Sequence, residues 1–393
     1  MAKLFLLLGV FGATTSTIYL VMVMIAVFRF RRTPKAAAGF TPPVSLLKPL
    51  HGAEPGLGAY LETFFQQDYP EYEILFCARY EDDPGLAIAR TIAAKYPHIP
   101  SQVLTCGESP WPNAKCFSLA AMGAVAKHDI LVLTDSDVRV TPGYLRAVVA
   151  PFSEEKVGLV TCVYRGVATQ KGLWARLEGL GMSIEMTSGV LVADMLEGMK
   201  FALGPTMMAR RRCIDKIGGF QALGQYYADD FVLGNLIAAE GNVVLLSDHV
   251  IDHCVVNVSF LKSMAHQMTW AKSTRFSRPK GHLGTGLTFS VAFGLIAFAA
   301  SLFLGRPWFG LAALLWTVLF RILQAAVVGG FAVRDRDAVA WAWLYPLRDL
   351  MGFFFWASSY FTRRAIWRGG PFRLNRGGRV ELLSNAGGQV ETR

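Results

Sequence analysis

ILVLTDSD, residues 130–137, is the stretch of this chain that decides its fold class. An apolar strand runs directly into two carboxylates, Asp135 and Asp137, which project to the same side because side chains alternate along a strand. Paired carboxylates at a strand end can hold Mg²⁺ or Mn²⁺ against a substrate diphosphate. The stretch therefore predicts a metal site at the carboxyl edge of a sheet, with a simple polar loop as the alternative.

Around this strand, residues 40–282 alternate between strand-like and helical patterns. Such alternation predicts an α/β domain with a mostly parallel, Rossmann-like sheet and helices on both faces, whose ligands bind beyond the carboxyl ends of the strands. The further predicted strands are Val44 to Leu47, Ile74 to Ala78 and Gly158 to Val163, and the predicted helices are Gly58 to Gln66, Gly85 to Lys95 and Ala114 to Ala126.

The N-terminal segment is expected to be a membrane anchor. The whole chain has 53% hydrophobic residues and a mean hydropathy of +0.35, which is too apolar for a purely soluble enzyme. Leu4 to Phe28 carries no charge and is long enough to cross a bilayer. We expect residues 1–32 to form an uncleaved anchor rather than a signal peptide. The basic residues Arg29, Arg31 and Arg32 place the following domain in the cytosol.

The C-terminal third is also apolar. Residues 283–362 contain three nearly uncharged runs, which predict two or three further membrane helices, and a basic tail follows at 363–393. Three full crossings would put that tail outside, so a re-entrant or interfacial last helix is favoured. Residues 173–200 mix charges with Met and Leu, which predicts an interfacial helix.

The charge distribution and the cysteine content argue against a nucleic-acid partner and against a zinc site. The net charge is +10, but the basic residues lie beside the apolar runs, which indicates attraction to anionic lipid and no nucleic-acid partner. The six cysteines show no CxxC pair or zinc-site spacing, so we interpret them as small buried residues in a reducing compartment.

More candidate donor-binding residues lie near the first two strands. The strand at 74–78 is followed by Glu81-Asp82-Asp83-Pro84. If these acids share a sheet edge with Asp135 and Asp137, hydrogen-bond donors on a nucleoside would satisfy them. A solvated turn that starts a helix is the alternative for this segment. Lys115 could pair with a diphosphate, or it could be an ordinary surface residue.

Two later motifs complete the candidate site. Asp229 is expected to cap the helix that follows it, whereas Asp230 has no such explanation and could accept the proton of an acceptor hydroxyl. His266 and Trp270 share one helical face beside the first C-terminal apolar run, where Trp could also act only as an interfacial anchor.

Taken together, these motifs resemble the ceramide glucosyltransferase family, a membrane-bound branch of the inverting GT-A glycosyltransferases. The similarity extends from Pro43 to Arg379. It is carried by the order and spacing of several motifs: VSLLKPL at 44–50, EDDP at 81–84, the Asp135 strand end with VRV at 138–140, ADD at 228–230 and the segment ending at Trp270.

The resemblance implies a role for each motif. Asp83 matches an aspartate near the nucleoside, Asp135 and Asp137 match a metal and diphosphate site, and Asp230 matches the expected base. Trp270 matches the end of the family's Q/R-x-x-R-W motif, over donor and acceptor.

The chain also departs from the family pattern. His266 and Thr269 stand where the motif has Gln or Arg and Arg, so a diphosphate contact would be missing or supplied by Lys272 or Arg275. Asp137 completes a DxD that the animal enzymes lack, which makes the chain more like bacterial relatives.

The resemblance implies an inverting transfer of a hexose, glucose being preferred, from a UDP-sugar to the hydroxyl of a membrane lipid, ceramide being preferred. Alternatives are N-acetylglucosamine or another sugar transferred to a hopanoid or glycerolipid, and a polysaccharide synthase. A transporter is the alternative from another class, because Arg321, Arg348 and Asp349 lie inside apolar runs. We expect a multi-pass protein of the bacterial inner membrane, or of the cytosolic Golgi face in a eukaryote, with a cytosolic catalytic domain.

Overall fold

The structure is a computed structural model that describes residues 1–32, 39–256, 259–367 and 370–383. The end of the basic tail, 384–393, and positions 368 and 369 within it lie outside the described residues.

One eight-stranded sheet organises the central domain, in the order β3-β2-β1-β4-β7-β6-β8-β5. Four neighbouring pairs are parallel and three are antiparallel, so the sheet is mixed and the prediction of a mostly parallel sheet holds in part. The strands are β1 Val44–Pro49, β2 Tyr72–Ala78, β3 Ser101–Thr105, β4 Ile130–Thr134, β5 Val138–Arg139, β6 Val157–Ala168, β7 Thr206–Arg210 and β8 Val243–Val255.

Helices surround this sheet and continue beyond it. They are α1 Ala2–Arg31, α2 Leu57–Phe65, α3 Pro84–Lys95, α4 Ala114–Val125, α5 Tyr144–Val149, α6 Leu173–Leu180, α7 Thr187–Glu197, α8 Arg211–Lys216, α9 Asp229–Ala239, α10 Phe260–Ser277, α11 Pro279–Thr285, α12 Val291–Phe303, α13 Pro307–Val327, α14 Arg336–Ala340 and α15 Tyr345–Ser358. The four strands and three helices predicted from the sequence of the central domain are confirmed, with ends shifted by a few residues.

The central strands β1, β2 and β4 are parallel neighbours, and every one of their residues is buried. Parallel strands covered by helices on both faces need mostly apolar side chains, which explains these sequences apart from the buried polar residues Ser45, Lys48 and Glu73. Their carboxyl ends meet at one edge, and the segments that follow them carry most of the predicted site residues.

Two helices among the described residues are long and apolar enough to cross a membrane, Ala2–Arg31 and Pro307–Ala332. Helices α12 and α15 have 13 and 14 residues, which is shorter than a full span needs. The prediction of two to three C-terminal membrane helices is therefore not confirmed, since one C-terminal helix meets the length criterion.

Small residues let α1 approach α12 closely. A Cβ on Gly9 would lie 2.8 Å from the Ala297 side chain, and one on Gly12 would overlap the Phe293 ring. The hydroxyls of Ser16 and Ser290 are 3.0 Å apart. Close backbone approach with a hydrogen bond between helices is typical of helix pairs in membranes.

The segment predicted as one interfacial helix at 173–200 is a continuous helix with a π-helical segment inside it: α6 is followed directly by Gly181–Met186 and then by α7. It packs against both β6 and the apolar helices. An ion pair holds this segment against α15, because Glu185 contacts Arg348 at 3.0 Å. Arg321 similarly contacts Asp349 at 2.8 Å. These ion pairs account for the charges in the apolar runs without a transport pathway.

The region after the last apolar helix is a small antiparallel sheet rather than only a basic tail. Its strands are β9 Arg364–Trp367, β10 Gly370–Leu374 and β11 Val380–Leu382. The buried side of this sheet packs against Tyr227 and Phe276 of the central domain. The C-terminal sheet and the central domain must therefore lie on the same side of any membrane that the helices enter.

Candidate active site

Asp135 and Lys115 form the centre of the candidate site. Asp135 follows β4, and its Oδ1 lies 2.7 Å from Nζ of Lys115, which is the second residue of α4. The same Nζ lies 3.6 Å from Oδ2 of Asp229. Burial opposes the charge of Lys115, but the Asp135 and Asp229 carboxylates hold its pKa above its ordinary value. Lys115 is thus a buried cation that joins two acidic motifs, not a surface residue.

Asn113 determines this arrangement. Its Oδ1 accepts hydrogen bonds from the backbone N–H groups of Lys115 and Cys116, which caps α4. Its Nδ2 donates to the carbonyl of Tyr226 at 2.9 Å and to Oδ1 of Asp229 at 3.3 Å. One buried amide therefore fixes both the helix that carries Lys115 and the loop that leads to the second acidic pair.

Asp230 lies on the same side of the site as Asp135. Its Oδ2 accepts from the N–H of Gly204 at 2.7 Å and its Oδ1 from the N–H of Phe231 at 2.8 Å. A Cβ on Gly204 would lie 3.1 Å from Asp230 Oδ2 and 3.8 Å from Asp135 Oδ2, so both carboxylates border this glycine. Burial and the neighbouring Asp229 raise the pKa of Asp230 to about 6, a value suited to a general base.

Asp229 does not cap α9, contrary to the prediction. The helix has Ala228 in the capping position, with no side-chain cap, and Asp229 is its first residue. The Asp229 carboxylate turns instead toward Asn113 and Lys115. Because two buried partners compete for this acid, its tertiary contacts override its local capping preference.

Asp137 has a histidine partner that sequence reasoning missed. Nε2 of His253, on β8, lies 2.9 Å from Asp137 Oδ2. Burial opposes ionisation of Asp137, but His253 and Lys48 outweigh it and hold its pKa below its ordinary value. Strand β8 was not predicted, although its run of Val, Leu and Ile was a usable signal.

Lys48 lies beneath the site and was also missed as a site residue. It is fully buried on β1, donates to the backbone carbonyl of Asp135 at 2.6 Å and lies over the Phe64 ring at 3.8 Å. Burial lowers its pKa to about 7. A lysine inside an apolar strand was the signal that could have identified it.

His266 and Trp270 lie beside these groups. The ring of Trp270 is 4.3 Å from that of His266 and 6.5 Å from that of His253. Nδ1 of His266 lies 2.7 Å from Oε1 of the buried Glu178, whose Oε2 accepts from the hydroxyl of Ser263 at 2.6 Å. Glu178, on α6, is a further residue that the sequence reasoning did not select.

Thr269, Lys272 and Arg275 each donate a hydrogen bond to a backbone carbonyl. The Thr269 hydroxyl donates to a carbonyl of its own helix. Lys272 donates to the carbonyl of Arg364 at 2.8 Å, and Arg275 donates to the carbonyl of Ser359. Lys272 and Arg275 therefore hold the segment after α15 against α10.

The acids after β2 are arranged differently from those after β4. Asp83 caps α3 by accepting from Gly85 N–H at 2.8 Å, and it also accepts from Gly52 N–H at 3.0 Å. Glu81 is exposed and pairs with Arg90 on α3, away from the Asp135 group. The helix-start interpretation is thus confirmed for Asp83, which holds together the loops after β1 and β2.

A cleft opens beside these loops at the carboxyl ends of β1, β2 and β3. Its lining includes Leu50, Arg79, Cys106 and Ser118. Each of the first three follows one of those strands, so the cleft lies at the sheet edge where nucleotides bind in α/β folds.

The residues around Asp137 suit a divalent cation. Oδ1 of Asp137 is buried and has no hydrogen-bond partner among the described residues. Within the same parts of the chain, no group of three or more Asp, Glu, His or Cys side chains is arranged as a ready metal site. An unpartnered carboxylate oxygen next to a second carboxylate fits a metal that also takes ligands from a bound diphosphate.

Comparison with known proteins identifies the family. The sequence model of Glycosyl transferase family 21 matches residues 8–380. The chain belongs to this family. It is therefore a glycosyltransferase, which confirms the resemblance noted from the sequence.

Two relatives illustrate the match. Ceramide glucosyltransferase 1 of Caenorhabditis elegans is 25% identical over 350 residues, which cover 88% of this chain and 74% of that protein. The ceramide glucosyltransferase of Komagataella phaffii is 34% identical over 140 residues, which cover 32% of this chain and 27% of that protein.

A solved structure confirms the GT-A-like fold. The mannosyltransferase PcManGT of Pyrobaculum calidifontis, in complex with GDP-Man and Mn²⁺, superposes with a TM-score of 0.54 at 18% identity, covering 91% of this chain and 98% of that one. At this identity the likeness concerns the fold alone.

Proposed function

We propose that this glycosyltransferase moves glucose from UDP-glucose to the primary hydroxyl of ceramide, with inversion at the anomeric carbon. The sugar and the acceptor follow the names of the relatives described above. The observation that carries the chemistry is the meeting of Asp230, Asp135 and Lys115 at one sheet edge, since a base there faces a site suited to a diphosphate.

The nucleoside would lie in the cleft beyond β1 to β3, near Leu50 and Arg79. Asp83 would act by holding the loops that form this cleft, through the N–H groups of Gly52 and Gly85. Glu81 would contribute only at the outer edge, because its carboxylate already pairs with Arg90.

The diphosphate would lie over Asp135 and Asp137, which would hold Mg²⁺ or Mn²⁺ together with phosphate oxygens. The metal would neutralise the charge that develops on the departing UDP. Lys115 keeps Asp135 oriented toward this position through their 2.7 Å contact, and His253 does the same for Asp137 at 2.9 Å.

Asp230 would take the proton of the acceptor hydroxyl. As that O–H bond breaks, the oxygen forms a bond to the anomeric carbon, and the bond from that carbon to the UDP oxygen breaks with its electron pair. The N–H groups of Gly204 and Phe231 fix the Asp230 carboxylate before the reaction. Fixed donors and in-line geometry reduce the reorganisation that the transition state requires.

The lipid would reach this site from the membrane surface. We assign residues 1–32 to an anchor, 40–282 to a cytosolic catalytic domain and 283–362 to apolar helices that form a hairpin of α12 and α13 with α15 at the interface. Arg29, Arg31 and Arg32 favour the cytosolic side for the domain. In a bacterium this is the inner face of the inner membrane. His266 and Trp270 would lie between donor and acceptor.

The test uses membranes that contain the full chain, incubated with ceramide and one UDP-sugar at a time, with products identified by mass spectrometry. UDP-glucose should give hexosylceramide. Asp230→Ala should lower the rate by about 10²–10⁴-fold, while Glu240→Gln, an exposed residue after the same helix, should match the wild type. Hexosylceramide formation by Asp230→Ala at the wild-type rate would contradict the assigned base.

A further inference from the structure

The loop that leads to Asp230 is held by the C-terminal sheet, β9 to β11. The N–H of Val380 donates to the carbonyl of Gln225 at 2.8 Å, and the N–H of Tyr227 donates to the carbonyl of Gly378 at 3.1 Å. Between these bonds, Tyr226 forms an antiparallel bridge with Arg379. The loop is thus paired to the tail as an extra strand would be.

Side chains strengthen this pairing. The rings of Tyr227 and Phe372 stack with centroids 5.4 Å apart and an interplanar angle of 9°. Phe372 is fully buried in the small core that β10 forms with Phe276. The guanidinium of Arg379 lies 5.7 Å from the centre of the Tyr226 ring. Burial of one aromatic ring on another orders both partners.

The C-terminal sheet also contacts the helix that carries Trp270. Lys272 of α10 donates to the carbonyl of Arg364 at 2.8 Å. At the end of the same helix, a Cβ on Gly378 would lie 2.6 Å from Oγ of Ser277, so backbone and helix touch there. One short sheet therefore touches two elements of the candidate site.

The opposite side of the loop is fixed by the central domain. Nδ2 of Asn113 donates to the carbonyl of Tyr226, and Asn113 N–H donates to the carbonyl of Gly224. Asp230 is only three residues beyond Tyr227, and its own carboxylate must stay aligned with the N–H of Gly204. Without the C-terminal sheet, the loop would keep its hydrogen bonds with Asn113 and lose the contacts with Phe372, Gly378, Arg379 and Val380 described above.

We propose that the C-terminal sheet positions the active site through two sets of contacts: Phe372, Gly378 and Val380 align Asp230 by way of the loop at Tyr227, and the Arg364 carbonyl aligns α10 by way of Lys272. This inference rests on the proposed function, because the role of Asp230 is assigned there. It gives these contacts of the C-terminal sheet a role in positioning the active site.

The test compares Phe372→Ala with Arg373→Ala in full-length protein in membranes. Arg373 is the next residue of the same strand and is partly exposed, with its partner Glu381 at 3.6 Å. We expect Phe372→Ala to lower kcat by about 10–100-fold with the KM for UDP-glucose nearly unchanged, because the donor site is intact. Arg373→Ala should match the wild type, and Phe372→Leu should recover most of the kcat.

A second readout separates positioning from loss of folded protein. Loss of folded protein lowers the rate by the same factor at every pH. A displaced Asp230 also shifts the pH at which kcat/KM falls on the acidic side of its pH profile, the acid limb. Val380→Pro provides a second variant, because it removes the N–H that donates to Gln225 and replaces the buried Val380 side chain with a proline ring. We expect it to lower kcat and shift the limb while the thermal unfolding midpoint in detergent stays near that of the wild type.

The outcomes distinguish the two proposals. If the wild-type chain forms no hexosylceramide, the result contradicts the proposed function itself. If the wild type is active and both Phe372→Ala and Val380→Pro keep its kcat and pH profile, the positioning role is overturned. If Phe372→Ala does not fold, Val380→Pro decides the question alone.

Discussion

Protonation of Asp230 should set the lower pH limit of activity. Its pKa of about 6 arises mainly from burial and then from the charge of Asp229. A carboxylate with this pKa is about 90% ionised at pH 7 and about 10% ionised at pH 5. Since only the ionised form accepts a proton, activity should be present above this pKa and lost as the pH falls through it. We expect kcat/KM to decrease about tenfold from pH 7 to pH 5.

The assay measures initial rates of hexosylceramide formation in membranes between pH 4.5 and 8, because kcat/KM reports the groups of the free enzyme. Asp229→Asn removes the neighbouring charge that helps to raise the pKa of Asp230, so the limb should move to lower pH. Glu240→Gln should leave the limb in place, because Glu240 pairs with Lys216 on the surface. A wild-type kcat/KM that stays constant down to pH 5, or no movement of the limb in Asp229→Asn, would refute this explanation.

Three further results are expected. Chelation with EDTA should abolish transfer, and Mn²⁺ or Mg²⁺ should restore it in the wild type but not in Asp137→Ala, as followed by glycolipid mass spectrometry. Lys115→Ala should leave the Asp135 side of the site without its buried cation and lower kcat by about a hundredfold or more, as measured by initial rates at saturating donor. Arg321→Ala should destabilise the protein by about 3–5 kcal/mol, because Asp349 would remain as an unpaired buried charge; its unfolding midpoint should fall, whereas that of the exposed-residue variant Arg306→Ala should not.

Local sequence patterns predicted the central half of the sheet well. Strands such as Ile130–Thr134 are continuously apolar and end in polar turns, so both their position and their carboxyl ends could be read directly. The positions of Asp135 and Asp230 beside Gly204 also agree with the expectation that these acids meet. The parallel-strand rule accounts for Asp135, which follows β4. Gly204 reaches the same edge because it precedes β7, which runs antiparallel to β4, and the rule does not account for Asp230 at the start of α9.

The antiparallel part of the sheet was harder to predict. Thr206–Arg210 is short, and its Thr, Met and Arg residues give no clear period, yet it is the strand inserted between β4 and β6. Its pairing depends on contacts between residues far apart in sequence, which no local pattern encodes. The prediction of a mostly parallel sheet therefore holds for four of the seven neighbouring pairs and missed the three antiparallel ones.

Local sequence patterns also could not identify the hydrogen-bond partners of the site residues. His253 and Glu178 are separated in sequence from Asp137 and His266, and each resembles an ordinary polar residue in its own segment. Only the fold brings them within hydrogen-bond distance. The capping prediction for Asp229 was wrong for a different reason. Its local preference to cap a helix was clear, but contacts with Asn113 and Lys115 override it.

The pairing of Gln225 and Tyr227 with Gly378 and Val380 has a consequence for biosynthesis. The ribosome must finish every apolar helix before it produces the segment that completes the Asp230 loop. Catalytic competence would therefore arise only after the helices have been delivered to the bilayer. A nascent or mis-inserted chain would carry an unfinished base loop, so it would consume sugar nucleotide more slowly away from its lipid acceptor.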